Sequence, residues 1–463
     1  MYKNEKTLFK QTALAITFLL VLSGSVIQDV YAQDSLRNLP ELSLPLLDNN
    51  IIKAYFKVAD AKNIDFKLTL CFSHPGEDPT RTTDSKIAEW SRRVNSIMRV
   101  AGHNNKHWLR TPDGRLIVYM WYGEQIIGPD SWKGQIDGYA TPFWVAQAYR
   151  KIANNVGEKF ACMFSTNEKI TPSSLDNYLD YFPAVWMWTN SYTFAGLDVK
   201  MNEACKKRKR TFMGTAFPDF YTSKIMRPDP VLWDILWLND ALAVGNARGL
   251  QRKYMATGLS NTFRQQLEYA VKLESPIINI ITWNDYPEGH HLAPEVNHND
   301  GFTTLLKYYK SIWKGESSPF DDRDVAIAFF KKYKRGVTPS PYNYQTLNVG
   351  TVGNINVATE DSIDIVTILA KPGKLKMNGE IVDVPAGLTS TKFKSQPGAV
   401  NVSVMRDGKE TATFKTPEWI TDKPLRTDLL TYSFSSEFPR YFKDIFGNIP
   451  PIYSTQYNKE VNK

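Results

Sequence analysis

Cysteine is scarce. The chain of 463 residues has three, Cys71, Cys162 and Cys205. An odd, sparse set argues against a disulfide framework. Cys71 and Cys162 sit inside apolar, strand-like runs, and nothing around any of the three suggests a histidine partner. They read as buried free thiols rather than nucleophiles. Long apolar runs are missing too: past the first thirty residues no stretch has the length to span a bilayer. Internal repeats and low-complexity tracts are absent. Charge of one sign is in only mild excess. The formal charge is +8, of which the first 32 residues contribute +1 (three Lys against Glu5 and Asp29), leaving +7. The densest basic run is Lys206-Lys207-Arg208-Lys209-Arg210. Such a run can meet an anionic polymer, but its ordinary place is the solvated C-terminal end of a helix, where cations favour the dipole. No nucleic-acid partner is expected.

The N-terminus is organised differently. Lys3, Lys6 and Lys10 precede a short apolar run, Ala13 to Val21, and Val30-Tyr31-Ala32 offers small residues at the positions a signal peptidase reads. This predicts a leader over 1–32, cut after Ala32, and a secreted or periplasmic mature chain. The run is too short to anchor the protein, and no Cys comes after it to carry a lipid.

Aromatic residues are abundant, 13% of the chain with 12 Trp and 23 Tyr. Flat aromatic faces suit sugar rings, although large cores also consume them. Between residues 49 and 315 helical and strand-like segments alternate. The strands read as 66–72, 115–123, 160–166, 184–190, 210–217 and 276–283. The helices read as 49–63, 84–102, 140–155, 171–180, 195–208, 261–274 and 301–315. Alternation of this kind means parallel strands covered on both faces, and the natural architecture is an α/β fold of the (β/α)8 TIM-barrel type over 33–335. Six strands are legible where eight are needed, and 33–48 is too short for two more βα units. Helical periodicity continues through "DVAIAFFKKYK" (324–334) and then stops. Short strands with Asn-Gly and Asp-Gly turn signals come next. They predict a small antiparallel, sandwich-like β domain over 342–416. The tail, 417–463, is rich in Pro and Tyr without a period.

The most informative stretch is "IITWNDYPEGHHLAPE", residues 280–295. An apolar strand runs directly into a loop that carries two carboxylates, Asp285 and Glu288. In a parallel barrel, chemistry collects at the C-terminal ends of strands. Two nearby carboxyls in unlike surroundings divide the labour of acid and base, which is the equipment of glycoside hydrolysis. Trp283 and Tyr286 can stack a sugar, and Asn284 and His290 can bond its hydroxyls. The competing reading is that Asp285 and Glu288 cap the next helix and the aromatics are core. His290, His291, His298 and Asp300 also raise a metal site, but adjacent histidines lack the i, i+4 spacing that puts two imidazoles on one helix face, and no metal is expected. Glu124, just after the strand ending Met120-Trp121-Tyr122, is a further carboxylate candidate.

This loop resembles the pattern VTWNDYGESHYIGP of glycoside hydrolase family 71, the α-1,3-glucanases or mutanases. Thr282, Trp283, Asn284, Asp285, Tyr286, Glu288, His290 and Pro294 match. Pro287, Gly289 and His291 replace the pattern's Gly, Ser and Tyr. Looser similarity in "KVADAKNIDFKLTLCF", "HNDGFTTLLKYYKSIWKG", "VTILAKPGKLKMNG" and "PGAVNVSVMRDGK" extends it over most of 50–415. The resemblance implies a catalytic (β/α)8 barrel with an accessory β domain and an inverting endo-hydrolysis of α-1,3-glucan. It implies Asp285 and Glu288 as the catalytic pair. Trp283, Asn284, Tyr286, His290, Trp121 and Glu124 are expected to bind the polysaccharide or oligosaccharide, with no cofactor. The chain departs from the pattern in three ways: the family's first two strands are not recognisable, Ser73 stands where an Asp is expected with Glu77 and Asp78 soon after, and Pro287 separates the carboxylates. These departures leave two alternatives open, a glycan-binding relative without turnover and a hydrolase of another α-glycan such as mannan.

Overall fold

The computed structural model describes residues 19–21, 44–73, 75, 80–128, 135–136, 139–140, 142–166, 172–188, 194–226, 235–236, 251–295, 297–333, 346–351, 360–423 and 429–437. The proposed cleavage site, His74, Glu77, Asp78 and the tail beyond Glu437 lie outside them. The chain divides into two compact units. The first comprises 1–188, 196–214 and 275–279, and the second comprises 189–195, 215–274 and 280–463.

The first unit is built on a six-stranded sheet. Its strands are β1 (Leu19–Val21), β2 (Thr69–Ser73), β3 (Leu116–Trp121), β4 (Phe160–Thr166), β5 (Ala184–Met187) and β6 (Thr211–Phe212), neighbours in that order and all parallel. Helices α1 (Leu44–Ala61), α2 (Thr83–Ala101), α3 (Pro142–Val156), α4 (Pro172–Leu179) and α5 (Phe194–Lys207) connect them, so strand and helix alternate as the pattern requires. β2 and β5 are buried throughout, the mark of a sheet covered on both faces. Leu70, Phe72, Val118, Met120, Phe164 and Val185 pack with Ile87, Trp90, Val94, Tyr149 and Ile152 of the helices in one core. β1 falls within the apolar run of the expected leader and takes the sheet edge beside β2.

All three cysteines are free, with Cys71 and Cys205 buried. Burial raises every one of the thiols, that of Cys205 to about 12, so none is a thiolate at neutral pH. The basic run spans the last turn of α5 and the three residues after it. Arg208 pairs with Asp180 at 2.7 Å and Asp176 at 3.4 Å, and Arg210 donates to the Leu179 carbonyl at 2.8 Å. It is a helix end tied down locally.

In the second unit, β7 (Tyr221–Met226) runs antiparallel to β8 (Gln251–Ala256), which is followed by α6 (Asn261–Lys272). α7 (Gly301–Lys314) leads into β9 (Val325–Lys331). β10 (Thr346–Thr351) lies parallel to β8. The remaining strands are β11 (Ser362–Leu369), β12 (Gly373–Met377), β13 (Glu380–Val384), β14 (Gly387–Lys394), β15 (Gly398–Arg406), β16 (Lys409–Ile420) and β17 (Thr431–Ser435). They make two antiparallel sheets of four, β14-β11-β9-β17 and β13-β12-β15-β16. Between these sheets Ala326, Phe330, Ile363 and Phe434 of one meet Leu375, Val402 and Val404 of the other. The Asn-Gly and Asp-Gly signals are hairpin turns: Asn378 and Gly379 have φ of 45° and 97°, and Asp407 and Gly408 have 52° and 76°. Positive φ at both central residues matches the twist of the flanking strands.

The helix expected over 324–334 is the strand β9. All seven of its residues are buried, since it sits between β11 and β17 with one face in the sandwich core. An apolar run with no polar side carries no period to separate helix from strand. The aperiodic tail also contributes: β16 extends past 417, and β17 pairs with β9.

Candidate active site

A short strand, Ile278–Ile280, ends directly before the carboxylate loop. The loop folds back on itself. The Thr282 N–H donates to the His290 carbonyl and the Leu292 N–H to the Thr282 carbonyl, both at 2.8 Å, and Ala293 donates to the Trp283 carbonyl at 2.7 Å. The Thr282 hydroxyl accepts from the Asp285 N–H at 3.0 Å. Pro287, with its fixed φ, lies within a single 3-10 turn, Tyr286–Glu288. Gly289 closes that turn at φ 70°, where any Cβ would come within 2.8 Å of the Tyr221 carbonyl. Asp285 precedes the turn, yet its side chain makes no capping hydrogen bond, so capping does not account for it.

Both carboxylates converge on one imidazole. His290 Nε2 lies 3.1 Å from Glu288 Oε2 and 3.3 Å from Asp285 Oδ2. The His290 side chain is fully buried, whereas those of Glu288 and Asp285 are 17% and 35% exposed. Its ring stacks on Phe220, centroids 5.6 Å apart. Burial alone would discharge this imidazole, but hydrogen bonding to Asp285 and Glu288 outweighs it and raises its pKa to about 9. It is therefore an imidazolium at neutral pH, clamped between two carboxylates. His290, expected to bond a sugar hydroxyl, presents no exposed surface here and meets both carboxylates instead. Of the other expected ligands on the loop, Asn284 and Tyr286 are exposed and Trp283 is half-buried.

Trp121 and Glu124 belong to the first unit. Trp121 ends β3, half-buried, and stacks on Trp188 with centroids 4.5 Å apart and planes 17° from parallel. Glu124 lies in a 3-10 turn, Gly123–Ile126, and burial raises its carboxyl above the usual range. Ser73, where the family pattern expects Asp, is buried at the end of β2.

A second polar cluster joins His291 and His298, two of the residues weighed for a metal, to Glu295, Asp219 and Lys331. His291 Nε2 is 3.0 Å from Glu295 Oε1, and the His291 ring stacks on that of His298 at 4.3 Å. His298 Nε2 lies 3.6 Å from Asp219 Oδ2, and Asp219 Oδ1 lies 3.6 Å from Lys331 Nζ. Burial holds His291 neutral, with a pKa lowered to about 4. Burial works against ionisation of Asp219, but the Lys331 ammonium and His298 hold it down at about 2. Asp300 is not part of this cluster: its carboxylate accepts from the Ser435 hydroxyl and N–H. Asp219 stands alone among apolar neighbours in Phe217-Pro218-Asp219-Phe220 and Lys331 ends an apolar strand, so no spacing signalled either residue.

Residues 246–432, which include this loop, match the family model for glycosyl hydrolase family 71. The match starts before β8 and ends inside β17, so the family 71 stretch lies mainly in the second unit. A mutanase from Penicillium rubens is 28% identical over 162 residues, covering 31% of this chain and 35% of that protein. The chain thus spans about a third of the curated relative it matches. Among solved structures, the GH99 endo-alpha-mannosidase from Bacteroides thetaiotaomicron is 12% identical with a TM-score of 0.30, covering 54% of this chain and 71% of that one. The beta-mannanase from Streptomyces thermolilacinus is 16% identical with a TM-score of 0.30, covering 58% and 76%. Superpositions this loose say nothing about the site. Among the described residues no helix is long and apolar enough to cross a membrane.

Proposed function

We propose that this chain is an exported glycoside hydrolase that cleaves α-glucan, α-1,3-linked by its family 71 resemblance, with Asp285 and Glu288 as its acid–base pair. The observation that carries the reading is the convergence of both side chains on His290 within the family 71 stretch. Glu288, the less exposed, protonates the leaving oxygen with a proton taken from the His290 imidazolium it contacts, and Asp285, the more exposed, activates water. Trp283 and Tyr286 offer faces for sugar rings, and Asn284 a hydrogen bond. The parallel sheet of the first unit, five strands once a leader carrying β1 is removed, belongs, in this reading, to an incomplete (β/α)8-type scaffold.

The resemblance implies inversion, which calls for roughly 6.5–9.5 Å between the carboxyl groups to seat a water. On His290 the nearest ligand atoms of Asp285, Glu288 and the imidazole lie within 4.8 Å of one another. Inverting turnover therefore requires Asp285, held by the longer contact, to swing outward from His290 as substrate and water enter.

Reducing-end release from a panel of α-1,3-, α-1,4- and α-1,6-glucans and α-mannan tests this, with fastest release expected from α-1,3-glucan. Binding to a glycan with no release from any would favour a non-catalytic relative, a reading that the buried Ser73 supports. Release from mannan alone would replace the substrate class.

A further inference from the structure

We propose that His291, Glu295 and His298 form a binding site for one divalent first-row transition-metal ion, zinc foremost, which staples the segment directly after the carboxylate pair. The site uses none of the side chains assigned to hydrolysis. One donor atom from each of the three residues lies within 4.8 Å of the other two. An ion about 2.0–2.2 Å from nitrogen and oxygen donors bridges such a group once the His291 ring turns out of its stack on His298, the two planes now lying 21° apart, so that both in-plane lone pairs meet at one point. Two imidazoles and a carboxylate are a donor set that zinc favours, with a fourth position left for water.

The histidines carry the stronger argument. His298 Nδ1 lies 2.7 Å from the His291 carbonyl, where it can only donate a hydrogen. In the neutral ring, the form that binds a metal, this leaves the lone pair on Nε2, which lies 3.6 Å from Asp219 Oδ2. The bond at Nδ1 is the support that metal-ligating histidines characteristically have from a backbone carbonyl. Nε2 of His298 makes no hydrogen bond, and neither ring nitrogen of His291 makes one, although the residues are only 1% and 2% exposed. His291 Nε2 approaches Glu295 Oε1 at 3.0 Å without hydrogen-bond alignment. Buried polar atoms rarely stay unsatisfied, and here three ring nitrogens do so within one cluster. Glu295 is already oriented, since its two oxygens accept from the Asn297 and His298 N–H groups. Its side chain is 23% exposed, which gives an ion a way in. Asp219 beyond His298 adds negative charge, largely offset by Lys331.

The Asp285, Glu288 and His290 trio is an equally compact group, but there both carboxylates already meet the imidazole nitrogen they would share with an ion.

The experiment strips the purified full chain with a chelator, dialyses it against zinc, manganese, magnesium or calcium chloride, and counts bound metal by mass spectrometry. Zinc affinity is then measured by competition with a chromophoric chelator. The expected result is one zinc per chain, little calcium or magnesium, and visible absorption bands of a four-coordinate site when cobalt(II) replaces zinc. His291→Asn and His298→Gln should each weaken zinc binding at least 100-fold, with unchanged circular dichroism showing that the variants fold. His290→Gln should leave zinc affinity within about threefold. No stoichiometric transition metal after reconstitution would overturn the site. So would wild-type affinity in folded His291→Asn and His298→Gln, or a loss confined to His290→Gln, which would put the ion on the carboxylate pair.

Discussion

Glu288→Gln and Asp285→Asn should each lower turnover on α-1,3-glucan by about 10³-fold, within the range that a single positioned acid or base contributes. Both replacements keep shape and remove the ionisable oxygen. Glu288→Gln removes the proton donor, so substrates whose leaving group needs no proton, such as aryl glycosides with acidic phenols, should retain far more activity. Asp285→Asn removes the base and should affect good and poor leaving groups alike. Neither change should much disturb the fold, because both side chains are partly exposed and neither caps a helix. Each leaves His290 with one carboxylate instead of two, so its imidazole should titrate below the value of about 9 in the native protein, a shift that NMR of the ring can follow. Steady-state kinetics against the two substrate classes, with urea unfolding alongside, checks these outcomes. A large fall in stability with a small fall in turnover would return the pair to a structural role.

Asp219→Leu carries the largest expected loss of stability. Asp219 is fully buried and ties three segments together. Its oxygens accept from the N–H of Phe220 at 3.0 Å, the hydroxyl of Thr257 at 3.4 Å and the N–H of Thr431 at 2.5 Å. Lys331, 4% exposed, lies 3.6 Å away and also donates to the Leu429 carbonyl at 2.6 Å. Removing the carboxylate deprives a buried ammonium of its counter-charge, which costs about 3–5 kcal/mol in comparable buried pairs. Adding Lys331→Met should recover part of that, since an apolar replacement of both partners is far cheaper than breaking one. Urea unfolding monitored through the second unit measures the single and double variants. Equal loss in both would mean that the Thr431 and Phe220 hydrogen bonds, and not the charge pair, dominate.

Legibility in the sequence tracked the physics of pattern. Five strands of the parallel sheet were readable because each is a short apolar run beside a helix; the edge strand β1 was read as leader, and the strand expected over 276–283 pairs with Gly214–Ala216 instead of joining the sheet. The hairpins were readable because Asn378-Gly379 and Asp407-Gly408 have the backbone freedom the turns demand. β9 was missed because a strand buried on both faces has no polar side to reveal its period. The carboxylate loop was visible as a motif, but the burial of His290 between Asp285 and Glu288 was not, since it depends on Phe220 from a distant segment. Asp219 and Lys331, 112 residues apart by their numbers, meet only in the folded unit.

The most direct test of the two-carboxylate account is proton NMR of the first products formed from an α-1,3-linked glucan oligosaccharide. The account predicts that the β-anomer accumulates first and then mutarotates, as direct attack of an Asp285-activated water requires. Initial release of the α-anomer would instead mean a covalent glycosyl-enzyme and would contradict the outward swing of Asp285. No cleavage of any α-glucan by the folded chain would contradict the assignment of the pair itself.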